Sequence, residues 1–317
     1  MKACDLLSMG WTIPCVIATA LAPLWLDAGL MRLASEVLLA ICLAQMWNLL
    51  AGYGGLMSLG HQLFIGVGAY LLFYLGEKTG LSPYMLLPLS AVGGALSACL
   101  IAPALFRLRE AYFAIGIWVM AEVVALLVSK SQALGGNAGI TLDMSALEDI
   151  ERFGQISFWL AAALGIASIA GLQLLMRSRL GLAMTAVRDN EVAARSVGID
   201  VQRVRLVAFI ISGSLSALAG AVYFMGGLFL TPTAAFDVNW VVMMLFATLI
   251  GGIGTIGGPV LGVLVWFALR ELLATSLGIS GGWTLIAMGA VAVLVSLWAP
   301  RGLLGLRPLS TLRKAIS

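Results

Sequence analysis

The chain alternates between long apolar stretches and short polar turns. A membrane-spanning helix needs about 20 predominantly apolar residues. The pattern predicts about ten such helices, and therefore an all-α polytopic membrane protein with a single transmembrane domain over residues 1–317. The predicted spans are 11–26, 33–52, 63–76, 83–106, 111–129, 156–176, 206–230, 238–250, 259–275 and 283–298.

One long polar stretch interrupts this pattern, between Arg177 and Arg205, and it carries six of the 18 Lys and Arg residues. Because cationic loops resist translocation, the stretch belongs on the cytoplasmic side. Ten spans then put both termini, including the tail 300–317, in the cytoplasm. With this orientation thirteen Lys and Arg residues lie inside and five outside.

Within the 177–205 loop, residues 183–197 are predicted to form a short amphipathic helix. Gly198 would end this helix, and Asp200 would cap the next one. A surface helix with small residues at its centre can dock into a groove on another protein. The alternative is a solvated, charged loop.

Small residues recur every four positions in two of the predicted spans. Such faces let helix backbones approach closely in lipid, where no hydrophobic force drives helices together. They predict a tightly packed bundle. The residues are Ser90, Gly94, Ala98 and Ala102 in one span, and Ser212, Ser216 and Gly220 in the other.

Glycine interrupts the helical pattern at 52–68 and again at 251–258, once in each half of the chain. Irregular backbone at membrane depth persists only where it is buried in protein or lines a cavity, since lipid cannot bond to it. Such paired breaks are typical of a translocation pathway. Tight turns at the cytoplasmic surface are the alternative.

Composition narrows the possible functions. The chain is 61% hydrophobic and 10% charged, and its net charge of +3 comes mainly from the inside loops. This charge is compatible with contact to membrane lipid and gives no case for nucleic acid. We find no P-loop, no metal-ligand spacing among the four Cys and single His, and no catalytic triad. The sequence therefore predicts no cofactor, no metal and no enzyme activity.

A few polar side chains fall in or beside apolar spans, where burial of a charge is costly. The candidates for a translocation pathway are Asn48, Ser58, His61 and Glu122. Glu122 lies deepest within its predicted span. A hydrogen-bonded contact between two helices is an equally good interpretation of this residue. For His61 we favour a contact that holds the glycine-rich loop to neighbouring backbone over direct contact with a substrate.

Two blocks of the sequence are distinctive. The first is NLLAGYGGLMSLGHQLFIGVGAY at 48–70, and the second begins GLAMTAVRDNEVAARSVGID at 181. Both resemble blocks of the branched-chain amino-acid ABC importer permeases, specifically the LivM-type subunit. Supporting pieces occur at 107–115, 135–140 and 251–262, in the family's order. Three features depart from the family pattern and leave the substrate open. They are Gln62, at a position where the family usually has Ala, then Glu110, and the Asn-Trp pair at 239–240.

The resemblance implies a roughly ten-helix permease in the bacterial inner membrane. Its partners would be a second, LivH-type permease, two cytoplasmic ABC ATPases and a periplasmic substrate-binding protein. The loop helix would be the segment that couples to the ATPases. The residues implied in coupling are Arg188, Asp189, Asn190, Glu191, Ala193, Ala194 and Gly198.

The sequence thus predicts the permease subunit of an ATP-driven importer for branched-chain or related small amino acids. The nearest alternative is an importer for urea or short-chain amides, whose permeases share these blocks. A proton-coupled transporter that uses Glu36 and Glu122 is a further alternative, as is a structural subunit whose partner alone forms the pathway.

Overall fold

The computed structural model describes residues 27–108, 111–142, 150–276, 282–299 and 302–305. The predicted span 11–26 and most of the tail 300–317 lie outside these residues. The helices are α1 Ala28–Asn48, α2 Gln62–Thr79, α3 Pro83–Leu105, α4 Ala111–Lys130, α5 Ile150–Arg177, α6 Arg179–Asp189, α7 Glu191–Ser196, α8 Val201–Gly227, α9 Pro232–Ala235, α10 Asn239–Gly251, α11 Gly257–Ser276 and α12 Gly282–Trp298.

Short elements complete the fold. A π-helical turn, Leu49–Tyr53, extends α1 by five residues, and 3₁₀ turns lie at Gln132–Leu134, Gly136–Ala138 and Leu303–Gly305. Strands β1 (Ile140–Thr141) and β2 (Phe229–Leu230) pair antiparallel, with Ile140 opposite Leu230. This two-residue ladder joins the loop after α4 to the end of α8.

Every predicted span from 33–52 onwards falls on a helix. Within the described residues, six helical segments are long and apolar enough to cross a membrane, so the chain is a multi-pass helical membrane protein. The count of ten spans, and the side on which the termini lie, stay predictions. The six segments are Ala28–Tyr53, Pro83–Leu105, Ala111–Lys130, Arg152–Arg177, Val201–Gly227 and Pro232–Gly251.

Helix α1 is the centre of the bundle, and it contacts α5, α8, α10 and α11. Every residue from Leu39 to Gly54 is buried. A helix that is apolar on all sides needs neighbours on all sides, and this one has them. Its C-terminal end is therefore held in a fixed environment, where the first glycine-rich break begins.

The prediction of tightly packed small-residue faces is confirmed. Helix α8 packs against both α2 and α3. A Cβ added to Gly94 would lie 2.5 Å from the Ala217 Cβ, and one added to Gly220 would lie 2.6 Å from the Ile65 carbonyl oxygen. Real Cβ atoms do not approach so closely, so these backbones touch only because glycine occupies both positions.

Candidate functional site

The two glycine-rich breaks meet in space, although about 200 residues separate them in the chain. The Asn48 side chain bonds both ways to the second break: its Nδ2 donates to the Thr255 carbonyl oxygen at 2.9 Å, and its Oδ1 accepts from the Gly254 N–H at 2.8 Å. Gln45 Nε2 donates to the Ile256 carbonyl oxygen at 2.6 Å. One face of α1 therefore supplies the hydrogen bonds that the irregular backbone after α10 lacks.

Glycine is required where these breaks touch. A Cβ on Gly52 would lie 2.6 Å from the Gly254 nitrogen, inside any allowed contact. Gly254 itself has φ +72°, a conformation that L side chains rarely adopt. Residues 302–305 close the same region from another side, since a Cβ on Gly302 would overlap the Gly252 backbone.

The first break folds back into the bundle. Gly60 lies against the Ile117 carbonyl of α4, and Trp47 Nε1 donates to the Ser58 carbonyl oxygen at 2.7 Å. Ser212, which His61 contacts, lies roughly 16 Å along α8 from Val201 at 1.5 Å rise per residue. These contacts tie residues 54–61 to α1, α4 and α8, while Gly55 and Met57 of the same segment stay exposed.

His61 is fully buried between two serine hydroxyls. Its Nε2 lies 2.8 Å from Ser212 Oγ, and its Nδ1 lies 2.8 Å from Ser58 Oγ. Ser212 Oγ donates to the Met46 carbonyl oxygen at 3.0 Å, so it accepts from a protonated Nε2, and Nδ1 then accepts from Ser58. A neutral imidazole satisfies this chain of bonds and ties residues 54–61 to α1 and α8.

The two carboxylates considered for proton coupling have different surroundings. Glu36, near the start of α1, lies 3.6 Å from both Arg32 and Arg270. Glu122 is exposed on the outer surface of α4, on a face with exposed apolar neighbours such as Val119 and Leu126. Asn48, Ser58 and His61 come together around the breaks, and Glu122 is not part of that cluster.

The 177–205 loop contains two helices rather than the single helix predicted over 183–197, so that prediction is wrong. Asn190 adopts extended angles (φ −159°, ψ 105°), which end α6. Its side chain then accepts from the Ala193 N–H at 3.0 Å and caps α7. Asn is a preferred N-cap residue, which explains why the helix restarts there. The predicted Asp200 cap is confirmed, with Oδ1 accepting from the Arg203 N–H at 3.1 Å.

Small and apolar residues of the loop divide between an inner and an outer face. Ala194 is only 2% exposed and packs inside the loop with Val187 and Val201. Val192 and Val197 are 75% and 77% exposed, and Ala193 and Gly198 are exposed beside them. We call Val192, Ala193, Val197 and Gly198 the outer face. Ala194 shapes the loop from within and does not belong to that face.

The charged residues of the loop hold it to the bundle. Glu191 pairs with Arg195 in α7 and, at 2.7 Å, with Arg205 in α8. Arg188, in the last turn of α6, pairs with the exposed Asp189 at 2.9 Å, and its Nη1 donates to the Gly52 carbonyl oxygen at 2.7 Å. The predicted coupling loop is thereby bonded directly to the first glycine-rich break.

Sequence reasoning missed several residues. The candidates from the sequence include neither Gln45 nor the exposed pair Val192 and Val197. Among the residues that the structure describes, the fully buried Gln62 amide has no hydrogen-bond partner for either of its polar atoms. An unsatisfied buried amide is uncommon enough to mark a position, and the only sequence signal was a glutamine beside His61.

These features define the class: a multi-pass helical membrane protein that holds glycine-rich, irregular backbone inside its helix bundle and bonds a basic surface loop to that backbone. Comparison with known proteins identifies the particular family. Residues 29–296 match the family described as branched-chain amino acid transport system / permease component, and the chain belongs to this family. It is therefore a non-enzymatic permease subunit of an ABC transporter, with ATP hydrolysis in a separate subunit.

Named relatives agree with this family. The chain is 27% identical to the high-affinity branched-chain amino acid transport system permease protein LivM of Escherichia coli (strain K12), over 89% of this chain and 71% of that protein. It is 25% identical to the probable LivH permease of Methanocaldococcus jannaschii, over 75% and 80%. The ribose import permease RbsC of E. coli (strain K12) is 26% identical over 56% and 59%. No solved structure gives a significant match.

Proposed function

We propose that this chain is a permease subunit of an ATP-driven importer that moves branched-chain amino acids across the bacterial cytoplasmic membrane. The observation that carries the proposal is the similarity to a LivM protein over 89% of the chain. The match to the ribose permease extends over 56% of the chain, which favours amino acids over sugars as the substrate class. Ten spans with both termini in the cytoplasm complete the proposed topology.

The outer face of the 177–205 loop is the proposed docking surface for two cytoplasmic ATPases. Exposed valines cost free energy in water, and a large apolar side chain beside small residues suits a groove on a partner. The same loop carries the exposed charged side chains of Asp189, Arg195 and Arg203. Apolar and charged residues together are the usual composition of a protein interface.

A second permease is the proposed neighbour of the Glu122 face of α4. A carboxylate within an apolar span is expensive in contact with lipid, so it faces a protein partner or a wet cavity. We assign Glu122 to the boundary between the two permeases, on the translocation pathway. Asn48, Ser58 and His61 contribute to that pathway by shaping the two glycine-rich breaks. A periplasmic binding protein would deliver the substrate from outside.

The test is purification of the tagged chain from mild-detergent extracts of its native membranes, followed by reconstitution. We expect co-purification of a second permease and two P-loop ATPases, and leucine uptake into proteoliposomes that requires ATP and the binding protein. Urea uptake with no leucine uptake would replace the proposed substrate. Uptake that needs no ATP and stops when the proton gradient is collapsed would refute the proposal.

A further inference from the structure

Arg188, a residue of the coupling loop, contacts both glycine-rich breaks. Its guanidinium donates to the Gly52 carbonyl oxygen at 2.7 Å. Its stem lies on Gly55, where an added Cβ would be 3.2 Å from Arg188 Cγ. A Cβ on Gly254 would be 3.4 Å from Arg188 Nη1. The side chain therefore occupies the place where the two breaks come together.

The backbone that Arg188 holds is itself unusual. Gly52 lies in the π-helical turn Leu49–Tyr53, and such turns are rare and concentrate at functional sites. Asn48, at the start of that turn, carries the paired hydrogen bonds to Thr255 and Gly254. A displacement of the Gly52 carbonyl would thus act on the contact between the breaks within one helical turn.

Arg188 is also well suited to transmit motion. A hydrogen bond from a charged donor is stronger than a neutral one. The outer face begins four residues later in the chain, at Val192, across the Asn190 cap. A push on α7 therefore displaces the last turn of α6. Asp189 pairs with the same guanidinium and holds it in orientation.

We infer that Arg188 is the positioning residue that connects the ATPase-docking loop to a gate formed by the two glycine-rich breaks. Movement of α6 and α7 pulls the Gly52 carbonyl and changes the Gly52–Gly254 contact, which opens or closes the inner end of the pathway. This inference rests on the proposed function, because it assigns to that loop the task of transmitting ATP binding.

The test compares Arg188→Ala and Arg188→Lys in the reconstituted complex with Arg107→Ala. Arg107 is exposed at the same end of the bundle and lies outside the coupling loop. For Arg188→Ala we expect normal assembly and ATP hydrolysis within about twofold of wild type, but about tenfold more ATP hydrolysed per leucine moved, from loss of one charge-assisted bond. Lysine retains a cationic donor and should restore much of the coupling, and Arg107→Ala should match wild type.

A second readout does not depend on the substrate. Hydrogen exchange of residues 52–58 and 252–256 should change when a non-hydrolysable ATP analogue is added to the wild-type complex. The change should be absent in Arg188→Ala. A wild-type leucine-to-ATP ratio and a wild-type exchange response in Arg188→Ala would overturn the inference. Failure of the wild-type complex to move leucine would overturn the proposed function instead, and the exchange response would still decide the role of Arg188.

Discussion

The hydrogen bond between His61 and Ser212 can be measured by a double-mutant cycle. His61→Ala removes the bonds to Ser58 and Ser212 and leaves a cavity, whereas Ser212→Ala removes the bonds to His61 and to the Met46 carbonyl. The two variants share one bond. The double variant should therefore be less destabilised than the sum of the single variants.

The expected interaction energy between His61 and Ser212 follows from the burial and geometry of their hydrogen bond. A hydrogen bond between side chains inside a helix bundle contributes about 0.6–2 kcal/mol, and the 2.8 Å geometry with full burial favours about 1 kcal/mol. His61→Ala alone should cost roughly 2–4 kcal/mol of unfolding free energy, because the cavity cost adds to the lost bonds. Ser212→Ala alone should cost about 1–2 kcal/mol.

The assay is reversible unfolding in mixed detergent micelles, followed by circular dichroism. Ser168 provides the matched control, because its hydroxyl is also buried but donates to the Gly165 carbonyl of its own helix. A His61 and Ser168 cycle should be additive within about 0.5 kcal/mol. The same additivity for His61 and Ser212 would refute the reasoning, since the ring and hydroxyl would then share no bond.

Two further predictions concern packing and docking. Gly220→Ala should cost about 1–3 kcal/mol of unfolding free energy, because its Cβ would press on the Ile65 carbonyl. Gly226→Ala in the same helix meets open space and should be neutral or stabilising, so equal melting temperatures for the two variants would contradict this account. Val197→Arg should weaken ATPase association at least about 30-fold in a pull-down titration. Leu81→Arg, at the opposite end, should have no effect on it, and unchanged binding by Val197→Arg would exclude the outer face as the docking surface.

The helices and the small-residue faces could be predicted because they depend on local pattern. Hydropathy gives the depth of a residue such as Glu122 but not the direction in which it points, since rotation of a helix depends on its neighbours. The meeting of Asn48 with Thr255 was beyond sequence reasoning for a similar reason. No local signal says which distant backbone will lack its own partners.

The division of the 177–205 loop is a different kind of miss. Asn190 is a strong N-cap residue, and the sequence therefore contained the signal for a new helix. The periodicity over 183–197 favours one continuous helix, whereas Asn190 as a cap favours two. Ala194 is buried in the second helix, where it packs against Val187 and Val201.

The glycine contacts described for α2, α3 and α8 have a mechanical consequence. Where backbones touch, as at Gly94 and Gly220, sliding one helix along another would drive carbonyls into Cα atoms, so these three helices form one stiff body. The α10–α11 hairpin is a second, since Gly262 lies on the Ala247 backbone. Between the second body and α1, the amides of Gln45 and Asn48 make hydrogen bonds that can exchange partners during a small shear. The same junction also contains the close backbone approach of Gly52 to Gly254, so any such shear has to move along that contact and not across it.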